Sequence, residues 1–126
     1  MEVPLTRFLF DSREFSGENA KPRAFKPMFD GERQRLEHSV FRTNGLDIGS
    51  IWTICTEHVE PNRGRPGLAF ANIPAGEVID AGLRVEQDEP PMLHSVIVGW
   101  PKGDDNKDQV KSLSQLLASK AQVSIR

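Results

Sequence analysis

Apolar residues along the chain follow two rhythms, and most of the predicted elements come from telling them apart. Residues 3–10 (VPLTRFLF) are dense in strand formers and predict a first strand. Residues 38–43 (HSVFRT) predict a short strand in which Val40 and Arg42 face one way and Phe41 the other. Over 47–59 the period changes. Ile48, Ile51, Trp52, Cys55 and Val59 recur at three- and four-residue steps and predict a helix with one apolar stripe. Asp47 suits its first turn, where a negative charge meets exposed amides. Residues 60–67 (EPNRGRPG) read as a loop, and 68–73 (LAFANI) as a buried strand. Pro74 opens a short helix with Val78, Ile79 and Ala81 inward, and Gly82 follows its end. Residues 83–87 form a short strand and 88–91 a loop.

The strongest strand is 94–100 (HSVIVGW), apolar on both faces at its centre and therefore interior to a sheet. By alternation His94, Val96, Val98 and Trp100 share one face. Residues 105–120 predict an amphipathic helix with Val110, Leu113, Leu116 and Leu117 inward, and 121–125 a last strand. Residues 16–37 hold Gly17, Pro22, Pro27 and Gly31 among many charges and read as a long loop, functional or mobile. The predicted class is α+β: a single mixed β-sheet with about three helices packed on it, in one domain spanning 1–126.

Charge narrows the function. The chain carries 16 basic and 18 acidic side chains, net −2, which argues against sequence-specific DNA binding. Residues 1–42 are net +1, 43–100 net −5 and 101–126 net +2. One cysteine, Cys55, excludes an internal disulfide and a Cys-based zinc cage, and its place on the apolar stripe makes it a core residue. The start has no basic, apolar leader, and no stretch is long and apolar enough to span a membrane, so the sequence reads as cytoplasmic.

His38, His58 and His94 have no metal-ligand spacing, and no metal is expected. No Gly-x-Ser-x-Gly elbow and no phosphate loop is present, and no cofactor is expected. Arg63-Gly64-Arg65 could grip a phosphate or carboxylate, or simply neutralise Glu57 and Glu60. His94 and Trp100 bracket the central strand, as acid–base and ligand-facing groups or as a loop cap and a core seal. Arg42 on a strand face must pair with a carboxylate such as Asp47 or Asp80, or reach into a cleft.

Arg7-Phe8-Leu9-Phe10, Phe15-Ser16, Lys21-Pro22, Phe25-x-Pro27, Ser39-Val40-Phe41-Arg42, Ile51-Trp52, Ala81-Gly82-Leu83-x-Val85, Pro90-Pro91 and His94-x-x-Ile97-Val98-Gly99-Trp100-Pro101 together resemble a family of small uncharacterised bacterial proteins. That resemblance covers most of the chain and implies one domain, with no reaction attached. A strand ending in His/Arg plus Thr, then a helix, then a Gly-Leu-Ala-Phe strand, is also similar to the start of an ADP-ribosyltransferase-like core. It implies that His38 or Arg42 holds a dinucleotide and that His94 acts later. Glu86 and Glu89 lie in a loop before the best strand, not where that core places its catalytic glutamate.

The expected function is binding of a small anionic ligand or a protein partner, as a small accessory or immunity-type module would. The surface would combine the 16–37 loop, Arg42, Arg63, Arg65, His94 and Trp100. The alternative is an ADP-ribosyltransferase-like or other nucleotide-handling enzyme or toxin, with Arg42 and His94 catalytic. A catalyst requires Arg42 and His94 in one concave pocket. A binding module requires an exposed apolar patch around Phe25, Met28 and Phe29.

Overall fold

A computed structural model describes residues 3–126. The strands are β1 (Pro4–Leu9), β2 (Phe15–Ser16), β3 (Asn19–Ala20), β4 (Met28–Asp30), β5 (Arg35–Arg42), β6 (Ala69–Pro74), β7 (Arg84–Gln87), β8 (His94–Val98) and β9 (Gln122–Ile125). The α-helices are α1 (Ile48–Ile54), α2 (Glu60–Arg63), α3 (Ala75–Asp80) and α4 (Lys107–Lys120). The fold is α+β, with seven strands in one sheet. Its order is β7-β8-β5-β1-β6-β9, with β4 beside one end of β5. The pairings are antiparallel. β8 is interior, between β7 and β5.

The sheet is covered on both faces because its central strands are apolar on both. On one face Leu5, Leu9, Val40, Ile73 and Ile97 pack with Phe25, Val78 and Leu117 from the chain above them. On the other, Phe8, Phe41 and Phe70 pack with Ile51 and Cys55 of the first helical segment. The rings of Phe8 and Trp52 are 5.8 Å apart and those of Trp52 and Phe70 5.5 Å, tilted or edge-on as aromatic quadrupoles favour.

Several sequence expectations change. The predicted loop at 16–37 is structured: it holds most of the β2–β3 hairpin, a 3-10 turn at Pro22–Phe25, β4 and the start of β5. Phe25 is fully buried in the core, so of the predicted apolar patch only Met28 (74% exposed) and Phe29 (61%) face outward. The helix predicted to stop at 59 continues to Arg63 through a π turn at Cys55–Val59 and ends on Gly64 at φ 69°. Pro61 fits this continuation because it lies in the first turn of α2, where no amide is needed. Asp47, expected inside the first turn, stands just before it as the N-cap of α1, accepting from Ser50 N at 2.7 Å. Ile48, Ile79 and Leu116, expected inward, are exposed. Each lies at the margin of its helix's apolar face, where a period count alone cannot fix the stripe's edge.

Trp100 departs from the β8 alternation. Gly99, at φ 96°, ends the pleat, and the indole turns into the core that holds Ile97, donating from Nε1 to the Ile97 carbonyl at 2.9 Å. It therefore does not share the face of His94.

Candidate functional site

A fault in the sheet creates the site. β1 and β5 are both long, yet they pair only at Leu5–Arg42 and Thr6–Phe41. Beyond Thr6 the strands part, and β4 pairs with Arg35–Glu37 at the far end of β5. In an antiparallel ladder successive residues present their backbone groups to opposite edges. Arg42 N donates to Leu93 O beside β8, so the Ser39 carbonyl faces β1. Its partner there is not a strand amide but the Arg7 side chain, whose Nη1 donates to it at 3.1 Å.

The gap is a cavity of about 290 Å³ lined from β1, β4, β5 and the helical segment. All three histidines of the chain, His38, His58 and His94, line it. So do three cations, Arg7, Lys26 and Arg63. Its only carboxylate, Glu37, is bound by Arg33 at 3.1 Å and Arg35 at 2.7 Å. The wall is therefore cationic, with its single negative charge neutralised from behind.

Arg7 holds the central position. It alternates with Leu5 and Leu9, which lie in the main core, so its guanidinium is sunk where an apolar side chain would be expected. Among the described residues no carboxylate lies within ion-pair distance, and its Nε is buried without a partner. Burial and the Arg63 charge push its pKa down to about 10, against a weaker pull from Glu14. His38 is buried beside it. Burial first, then the Arg7 charge, holds its pKa well below the usual imidazole range, so the ring is neutral. His38 Nδ1 lies 3.3 Å from the Lys26 carbonyl and must carry the proton, leaving a buried Nε2 lone pair with no donor. The slot thus contains an orphaned donor and an orphaned acceptor.

The π turn places the opposite wall. His58, Val59, Asn62 and Arg63 fall on one side of the helical segment and face the gap. The Arg63 guanidinium lies 4.9 Å from the centre of the Phe10 ring, a cation–π contact that fixes its stem. His94 enters from β8, edge-on to Phe41 with ring centres 5.2 Å apart. Its Nδ1 lies 2.8 Å from the Asp88 carbonyl and 3.3 Å from Asp88 Oδ2. That pairing puts the proton on Nδ1 and leaves Nε2 as the free nitrogen.

Of the residues singled out in the sequence, Arg63 and His94 meet in this slot, and Arg42, Arg65 and Trp100 lie outside it. Arg42 neighbours His94 in register but by alternation projects from the opposite face. It donates to Glu89 Oε2 at 3.0 Å, neither to Asp47 nor to Asp80. Glu89 is itself held below the ordinary carboxylate range, chiefly by the Leu93 amide, then by Gln87 and Arg42. The catalytic pairing of Arg42 with His94 therefore has no common pocket. Arg65 is exposed on the turn after α2.

The sequence reading singles out none of Arg7, Lys26, His58 and Asn62, and it singles out His38 only through the resemblance to an ADP-ribosyltransferase-like core, as a dinucleotide-holding residue. One signal for Arg7 was present: a charge between two leucines at an inward position of a strand buried on both faces. Among the described residues, no group of three His, Cys, Asp or Glu is placed to hold a metal. None of their helices is long and apolar enough to cross a membrane. No family model, curated protein or solved structure matches the chain, so the reading of this slot rests on its own residues.

Proposed function

We propose that the protein binds a small anion, phosphate- or carboxylate-bearing, in the slot between β1 and β5. One observation supports the reading: Arg7 is half-buried with its Nε out of reach of solvent, and among the described residues no carboxylate pairs with it. An unpaired buried charge costs stability and is offset when a ligand brings the missing counter-charge. Arg63 and Lys26 add further positive charge around the same space, and His58, His94 and Asn62 supply hydrogen-bonding nitrogens. The volume suits a phosphate or a short carboxylate with a small organic body. His38 Nε2 further favours a ligand that also carries a hydroxyl or a protonated oxygen.

The test is thermal unfolding at fixed ionic strength with phosphate, pyrophosphate, a nucleoside monophosphate, citrate and succinate. At a hundredfold excess over its dissociation constant a ligand stabilises by about 2.7 kcal/mol. That is a rise of several degrees for a domain of this size. The rise should vanish in Arg7→Met and weaken in Arg63→Ala. No shift with any of these anions, or a shift that survives both substitutions, overturns the proposal.

A further inference from the structure

A second recess lies outside the slot, on the face of the sheet that carries α4. It is an open groove of about 770 Å³ between the Pro22–Lys26 turn, the β4–β5 hairpin, the Pro101–Gly103 loop and α4. Its floor is apolar. Leu36 and Val110 belong to it and pack against the main core, so the floor is rigid. Ser114 Oγ donates to the Phe25 carbonyl at 2.9 Å and ties the 3-10 turn to α4 across one end. Phe29, 61% exposed, stands at its side with no core to enter.

The rim is charged with one sign. Arg23, Lys26, Arg35, Lys102, Lys107 and Lys111 line the groove, and none of its lining side chains is acidic. Arg35 is bound by Glu37 and Glu86. Arg23, Lys26, Lys102 and Lys111 make no ion pair among the described residues. This concentration of positive charge sits on a chain whose net charge is −2, so it is local.

We infer that this groove docks an acidic peptide segment of a partner protein, with one or two apolar side chains seated on Leu36, Val110 and Phe29 and carboxylates spread around them. The distribution of the cations decides between occupants. They come from four separate segments and surround the apolar floor, whereas a single-headed amphiphile brings charge to one end only. A segment with acids on both sides of its apolar anchor matches both features at once. The docking needs neither Arg7 nor any histidine; Lys26 is the one lining residue the groove shares with the slot, so Arg7→Met separates the two.

A random dodecamer library displayed on phage is selected against the protein, with counter-selection on the Phe29→Ser/Lys111→Glu double variant. The strongest peptide is then measured by fluorescence anisotropy. Selected peptides should be net negative, with Asp or Glu flanking Leu, Ile, Phe or Trp. Lys102→Glu/Lys111→Glu should weaken binding at least tenfold, and Phe29→Ser at least fivefold. Arg7→Met should leave it unchanged. Circular dichroism of each surface variant establishes that it is folded. Neutral or basic selected sequences, or binding indifferent to the Lys102/Lys111 reversal, overturn the inference. Dodecanoate that binds more tightly than any selected peptide and displaces it gives the groove to a lipid anion and overturns it as well. So does a dimer in sedimentation that the double reversal dissolves, since the occupant is then a second copy of this chain.

Discussion

Replacing Arg7 with methionine should make the unliganded protein more stable. The guanidinium is pushed down from the ordinary arginine range to about 10, first by burial and then by Arg63. A base whose folded pKa lies below its unfolded value weakens the fold at every pH below the folded pKa. The cost fades only as pH rises from about 10 toward the ordinary arginine range. At pH 7 the whole cost applies, about 3 kcal/mol at ~1.4 kcal/mol for each tenfold change. Water entering the slot screens part of it, leaving roughly 2 to 3 kcal/mol. The substitution also removes the Arg7 hydrogen bond to the Ser39 carbonyl, a loss of about 1 kcal/mol. Methionine keeps the apolar stem and its packing. The net expectation is a gain of roughly 1 to 2 kcal/mol, or about 4 to 8 °C in Tm, since a domain of this length shifts by ~4 °C per kcal/mol. Urea unfolding at pH 7 in Tris-chloride measures it as a higher midpoint with unchanged slope. Adding millimolar phosphate should stabilise the wild type and not the variant, narrowing the difference. A variant that is destabilised by 1 kcal/mol or more shows that Arg7 has a counter-charge after all, and the argument for the slot fails with it.

His38 leads to a pH dependence. Its folded pKa is well below 6.5, so below that pH the unfolded chain takes up a proton that the fold refuses. Stability from this residue is therefore complete above about pH 7.5 and falls as the pH drops below 6.5, at a limiting slope of about 1.4 kcal/mol per pH unit. The urea midpoint of His38→Gln should lack that fall, and a wild-type His38 ring that titrates above pH 6 by NMR would contradict it. Cys55 is fully buried, and burial with the nearby Glu60 charge raises its thiol to about 12. It should stay unreactive toward a thiol reagent at pH 8 until urea unfolds the chain, and a fast native reaction would refute this. At Gly67 a Cβ would sit 3.0 Å from Cys55 Sγ and 3.1 Å from Trp52 Cζ3. Gly67→Ala should cost roughly 1 to 3 kcal/mol, read as a lower urea midpoint.

The sequence was legible where a period was long and undisturbed. The interior strand at His94–Val98, the start of α1 and the turn at Gly82 follow from alternation, an acidic residue where a helix begins and a glycine, here at φ 86°. It was illegible where a short element is held by distant partners. The 3-10 turn at Pro22–Phe25 carries the Phe25 side chain into a core built by α4 and the sheet, and no local pattern among its prolines and lysines announces that. The π turn is a similar case. Glu60 Oε2 accepts from Gly67 N and from Arg126 Nη1, each at 2.8 Å, so the segment is pinned by residues before β6 and at the end of the chain. The candidate site was half legible for the same reason. Arg63 and His94 are found from their own surroundings, whereas Arg7 acquires meaning, and His38 its partner, only once β1 and β5 are seen to separate.

That separation explains why the site is where it is. Had β1 stayed in register with β5 from Arg7 to Leu9, the Ser39 carbonyl would face a strand amide, and position 7 would pack with Leu5 and Leu9 as one more apolar residue. Instead the ladder stops after two pairs, and a guanidinium takes over the hydrogen bond that the missing amide would have made. The substitution satisfies Ser39 but imports a positive charge that, among the described residues, has no ion-pair partner and only a weak pull from Glu14. Local rules of strand composition and charge burial are broken at the same residue, and such coincidences concentrate where a fold yields stability to function. An anion entering the slot would restore the balance that the interrupted ladder upsets, so binding strength and the instability of the empty fold should have the same origin in Arg7.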